Sequence, residues 1–263
     1  SPGLDFETRI FFKEHAASLL EKELCKPKYS CAPMALGVNT DCYQPAERDL
    51  KITRSILEVL ERFNHPVSII TKSAGILRDL DILSEMAGRN LVHVMISVTT
   101  LDRDLARRME PRATTPERRL KTMRALNDAG VPTGVLASPI IPGLNDSEIE
   151  KILQACKDAG AVQAAYLLLR LPYELKEIFE DWLRQQYPDR AKHVLSLIRQ
   201  CRSGELSSSE FGTRFTGEGA YAEIIRQRFH NAQNKLELPQ RTLDLDSSKF
   251  QIPLAVGDQL GLF

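Results

Sequence analysis

TGVLASPIIPGLNDSEIEKILQACKDAGAVQAAYLLL, residues 133–169, is the stretch that decides the fold. Residues 133–140 and 164–169 are short apolar runs and read as strands. Between them, residues 146–159 carry Ile149, Ile152, Leu153 and Cys156 at the three-and-four spacing of one helix face. Asn145-Asp146-Ser147 offers side chains that cap such a helix, and Gly160 stands where a helix ends in a left-handed residue. Strand, helix and strand at this spacing predict parallel strands joined by a crossover helix.

The same alternation extends outward. Strands are expected at residues 9–13, 35–39, 67–72 and 92–99, with helices at 15–24, 52–63, 78–86 and 116–129. Asp128-Ala129-Gly130 repeats the ending found at Gly160. The strands read as apolar on both faces, as buried parallel strands do. The predicted class is α/β, and an open (β/α) barrel and a doubly wound sheet both fit it. A helical pair at 175–186 and 190–201, a Ser- and Gly-rich loop at 203–219 and a helix at 220–231 follow. From residue 239 to 263 the chain reads as an extended, partly disordered tail. We divide it into residues 1–202, the barrel, and 203–263, a C-terminal helix and tail.

Composition narrows the function. Lys and Arg number 35 and so do Asp and Glu, so a generally basic nucleic-acid surface is excluded and any such face must be local. No apolar run approaches the roughly 20 residues of a membrane span, and no leader pattern is present, which predicts a cytoplasmic protein. Cys25, Cys31, Cys42, Cys156 and Cys201 lie at scattered spacings without a C-x-x-C pair, which argues against a disulfide framework and gives no metal ligands.

Polar residues gather where the expected strands end. Asn39, Thr40 and Asp41 follow one, Thr71, Lys72 and Ser73 another, and Ser97, Thr99 and Ser138 lie at the ends of two more. In parallel α/β folds the site is built on that rim. Asp41 and Lys72 stand out, since a charge emerging from a buried strand needs a partner or a ligand.

Gly37-Val38-Asn39-Thr40-Asp41-Cys42-Tyr43-Gln44-Pro45-Ala46-Glu47 resembles a segment of the photolyase-like radical S-adenosylmethionine proteins, relatives of spore photoproduct lyase. The likeness continues in order through Thr53-Arg54, Thr71-Lys72-Ser73, Arg78-Asp79, 96–102, Glu110-Pro111, Arg119, 139–146 and Arg170-Leu171-Pro172. It implies a partial TIM-type barrel that binds S-adenosylmethionine around Asn39, Thr40, Asp41, Lys72 and Ser97. It implies a reaction on DNA, by lesion repair or base modification, through a 5′-deoxyadenosyl radical. RNA, protein or small-molecule substrates, and an adaptor without catalysis, are the alternatives. Cys42 is the candidate hydrogen-atom donor, and Glu47 and Arg112 are candidate substrate contacts. The family's C-x-x-x-C-x-x-C loop, which binds a [4Fe–4S] cluster, is absent from these residues and is expected in a segment before Ser1.

Two further features stand apart from the barrel. Residues 103–124 are locally basic, as in a phosphate-contacting face or a solvated, salt-bridged helix. The terminal Gln259-Leu260-Gly261-Leu262-Phe263 resembles the short peptides that dock on the bacterial DNA sliding clamp. There Leu262 and Phe263 would fill an apolar pocket, with Gln259 and Leu260 at its edge.

Overall fold

In the computed structural model, the structure describes residues 10–207, 212–239 and 244–253. The chain runs α1 (Ala16–Leu24), β1 (Met34–Leu36), α2 (Glu47–Leu50), α3 (Ile52–Arg62) and β2 (Val67–Thr71). It continues with α4 (Leu80–Gly88), β3 (Val92–Ser97), α5 (Arg103–Met109), α6 (Pro116–Asp128) and β4 (Thr133–Ile140). Last come α7 (Ile149–Asp158), β5 (Gln163–Leu168), α8 (Leu175–Gln186), α9 (Pro188–Gln200) and α10 (Ala220–Lys235).

The five strands are parallel and lie in sequence order, β1 to β5. No reversal of order occurs, so the sheet has no topological switch point and the doubly wound alternative falls. A sheet that steps one way and does not close is a partial barrel. Its helix-facing side carries Val67, Ile69, Val92, Val94, Ile96 and Val135, all buried in one core. Helix α10 closes that core through Ala222, Ile225 and Phe229, the last ring lying 4.6 Å from Tyr166. A second core joins α8 and α9 to the loop after β4 through Leu183, Val194, Ile198, Ile141 and Leu144.

Helix endings follow the sequence closely. Gly130 and Gly160 adopt φ of +78° and +96°, and the next residues donate back to Leu126 and Cys156 carbonyls, satisfying orphan groups at each helix end.

Several expectations are corrected. No strand forms over residues 10–13, where Phe11 is 96% exposed and no neighbouring strand takes up the apolar side chains. The strand expected at 35–39 ends at Leu36, because Gly37 turns out of the sheet with φ +82°. Asn145 and Asp146 do not cap α7; their side chains bind within the preceding loop, to the Ile141 and Gly143 amides. The strands are not apolar on both faces: the concave side carries Ser68 hydrogen-bonded to His93 at 3.2 Å, and Gln163 against Met95. The tail is ordered over 244–253. Asp246 N donates to Asn90 O at 3.0 Å, Gln251 N to Phe63 O at 3.0 Å, and Phe250 packs on Phe63, Tyr29 and His65.

Candidate active site at the strand C-terminal rim

The rim begins with one glycine. A Cβ on Gly37 would lie 2.0 Å from the Ile70 carbonyl oxygen, so a side chain here would push β1 off β2. The glycine lets the loop of Val38, Asn39 and Thr40 rise exposed above the sheet. Asp41 then ties that loop down. Its carboxylate accepts from Thr71 Oγ1 at 2.7 Å, Lys72 N at 2.8 Å and Tyr43 N at 2.9 Å. The charge that seemed to need a ligand is held by backbone amides and a hydroxyl, and it locks the ends of β1 and β2 together.

Lys72 leads to the centre of the site. Its Nζ pairs with Glu110 Oε1, and Arg119 grips the other carboxylate oxygen at 2.7 Å. Arg119 is 3% exposed and also donates to Ser97 O at 2.9 Å and Thr114 O at 2.8 Å. Burial pushes the Glu110 carboxyl up, but Lys72 and Arg119 outweigh it and leave it below the ordinary range. Lys72 keeps 34% exposure, so it is the member of this triad open to a ligand. Beside it, Thr99 Oγ1 donates to Ser138 O at 2.9 Å and Ser97 Oγ to the same oxygen at 3.3 Å, joining the ends of β3 and β4.

Glu110 and Arg119 belong to the familiar series of residues, but the sequence assigned them no role. The signal was present: Arg119 shares the buried stripe of α6 with Met123 and Leu126. A charge on an apolar face requires a buried partner.

Asn145 braces the rim from below. Its amide donates to Thr99 O at 2.7 Å and Pro139 O at 3.0 Å, while Oδ1 accepts from Ile141 N at 2.6 Å. Asp146 adds a bond from Tyr221 OH at 2.6 Å, which couples α10 to the same loop. The Pro-Gly-Leu-Asn-Asp segment therefore sets shape.

The other candidate residues lie apart from Lys72. Glu47 is buried on the helical side, where Arg78 pairs with it at 2.9 Å and Thr53 N donates at 3.0 Å. Cys42 packs against the main core, and burial, followed by the Asp41 charge, pushes its thiol up to about 12. Such a thiol keeps its hydrogen at neutral pH. Arg112 is exposed between α5 and α6. The basic stretch at 103–124 splits: Arg103 pairs with Glu117, Arg107 with Asp104, and Arg108 lies 5.2 Å from the Tyr187 ring centre. Gln259, Leu260, Leu262 and Phe263 lie outside the described residues.

A partly exposed ammonium flanked by hydroxyls and by the amide and hydroxyl of Asn39 and Thr40 fits the amino-acid end and ribose of S-adenosylmethionine. A cluster finds no such fit here. Among the described residues no three His, Cys, Asp or Glu side chains group as metal ligands.

A sequence model of the Radical SAM superfamily matches residues 33–156. An uncharacterized protein of Mycobacterium tuberculosis is 32% identical over 202 residues, covering 76% of this chain and 59% of the relative. An uncharacterized protein of Methanocaldococcus jannaschii is 29% identical over 168 residues, 64% of this chain and 61% of that one. The chain thus spans about three fifths of these relatives' length. Spore photoproduct lyase complexed with dinucleoside spore photoproduct superposes with a TM-score of 0.57 at 14% identity, covering 84% of this chain and 63% of that one. A point mutant of the same lyase gives equal values. The superfamily match runs from β1 into α7, through the residues that build the rim, and on it this chain belongs to the radical SAM superfamily.

Proposed function

We propose that this chain forms the S-adenosylmethionine-binding barrel of a radical enzyme that acts on nucleic acid, in lesion repair or base modification. The observation that carries the reading is Lys72, held on the rim by Glu110 yet partly open, beneath the exposed Asn39-Thr40 loop. In this superfamily the cluster supplies the electron that cleaves S-adenosylmethionine to a 5′-deoxyadenosyl radical. The residues of this chain bind and orient. Lys72 takes the carboxylate, Asn39 and Thr40 the ribose or amine, and Ser97 lines the floor. Asp41 acts by holding the loop in place. The nucleic-acid part rests on the fold shared with spore photoproduct lyase, one of whose structures holds a dinucleoside photoproduct.

In a cluster-bearing protein, Lys72→Ala should weaken S-adenosylmethionine binding by roughly 1.5–3 kcal/mol, the worth of one charge-assisted hydrogen bond. Titration calorimetry measures it, and unchanged affinity would place the ligand elsewhere.

The tail supports a second part of the proposal, delivery to DNA by a sliding clamp through Gln259, Leu260, Leu262 and Phe263. Residues 244–253 dock beside Phe63 and Asn90, at the strand N-terminal end. The chain therefore leaves from the end opposite the rim. A labelled peptide of residues 258–263 should bind clamp at micromolar strength, about −8 kcal/mol. Fluorescence anisotropy tests this, and equal binding by a Leu262→Ala, Phe263→Ala peptide removes the clamp from the proposal.

A further inference from the structure

At the C-terminal end of β5 the chain gathers positive charge that no carboxylate balances. Arg202 is 2% exposed and gives its guanidinium to three backbone carbonyls: Leu169 at 2.9 Å, Thr213 at 3.1 Å and Arg214 at 2.9 Å. Arg170 lies two residues beyond β5, with its guanidinium carbon 5.2 Å from the centre of the Phe215 ring. The Arg214 guanidinium lies 4.7 Å from the same ring centre. Among the described residues, neither Arg170 nor Arg202 has a carboxylate within ion-pair distance, and the buried Nε of Arg170 has no hydrogen-bond partner. Burial, and then the neighbouring Arg170 charge, push Arg202 down against weaker opposing terms from Cys201 and Glu218.

The backbone holds this group in place. Leu168 N donates to Phe215 O at 2.8 Å along the edge of β5 that pairs with no strand. A Cβ on Gly217 would lie 2.7 Å from Leu168 Cδ1 and 2.9 Å from Cys201 O, so the loop is wedged between β5 and the end of α9. Phe215 remains 36% exposed, and Tyr173, three residues after Arg170, is 86% exposed.

Guanidinium groups without a counter-charge, one of them fully buried, are costly unless an anion completes them. Phosphodiester oxygens suit a planar guanidinium, and exposed rings beside cations are how single-stranded nucleic acid is held. The group also stands on the same rim as Lys72. With strands spaced about 4.8 Å, the end of β5 lies about 14 Å from the end of β2.

We propose that Arg170 and Arg214, set against Phe215, bind a phosphodiester of a single-stranded nucleic acid beside the Lys72 rim. This rests on the nucleic-acid reading above and adds to it the place where the backbone is held.

The test is anisotropy of a short labelled oligothymidylate titrated with this chain across a salt series. Arg170→Gln and Arg214→Gln should each weaken binding about tenfold at low salt. Each should also lower the slope of log affinity against log salt by about 0.7. Arg170→Lys keeps the charge and should restore the slope. Arg118→Gln, on the exposed face of α6, should bind as the wild type does. Thermal melts by circular dichroism establish that each variant is folded, and the lysine variant serves if a glutamine variant is not. Binding by the wild type with no change in either glutamine variant overturns this site and leaves the nucleic-acid reading standing. An equal loss in Arg118→Gln means general charge attraction and also overturns it. Inorganic phosphate or thymidine monophosphate competing as well as the oligonucleotide identifies a small-anion site instead. No binding by the wild type overturns both readings.

Discussion

Glu110→Gln tests the rim most directly, because it removes one charge and almost no volume. The carboxylate sits between Lys72 and Arg119 with 13% side-chain exposure, and Arg119 has 3%. Glutamine keeps the shape and one acceptor, but the buried guanidinium loses its counter-charge. Breaking a buried pair from one side costs about 3 kcal/mol or more, and the retained acceptor argues for the lower end. For a domain of this size that is a fall in Tm of about 6–12 °C. The pH dependence follows from the sign of the shift. Glu110 is depressed below its ordinary 4.5, so its contribution is complete above that value and is lost as pH falls through the lower folded value. The gap between wild type and variant should therefore be full at pH 7 and shrink below pH 4.5. Circular dichroism melts at both ends of that window measure it. A variant that melts with the wild type at pH 7, or a gap that stays constant into acid, would refute the claim that the triad is a buried charge pair.

Two further outcomes are expected. Asn145→Ala removes three hydrogen bonds from a residue 2% exposed and leaves their partners buried, for a loss of about 3–4 kcal/mol; a change under 1 kcal/mol in urea unfolding would contradict its bracing role. Burial pushes Cys42 and Cys156 up to about 12 and Cys201 up to about 11, so iodoacetamide at pH 8 should alkylate exposed Cys25 while these three stay unmodified. Mass spectrometry that finds Cys42 labelled as fast as Cys25 would show an accessible thiol at the rim and revive its claim as a hydrogen-atom donor.

Local rules carried much of the fold. The spacing of Ile149, Ile152, Leu153 and Cys156, and the glycines at 130 and 160, determine helices and their ends within a few residues of chain, and the structure follows them. The position of Lys72 at the end of β2 is legible in the same way, since it needs only the strand before it. The partners were not legible. Glu110 lies 38 residues from Lys72 and Asp41 lies 30 from Thr71, and nothing local pairs them.

By itself the sequence determined the alternation of strands and helices, the polar rim, and through its ordered motifs the superfamily. The tertiary structure decided what each charge does. A strand's direction follows from its own residues and its connection, because hydrophobic period and backbone caps act over short range. Whether a carboxylate is free or spent depends on which distant groups the sheet brings within about 3 Å, and burial multiplies the consequence. Thus Asp41 ties a loop, Glu47 braces the helical side, and Glu110 holds Lys72 on the rim. At β5 the tertiary structure likewise places Arg170 and Arg214 over one ring from segments far apart in the chain.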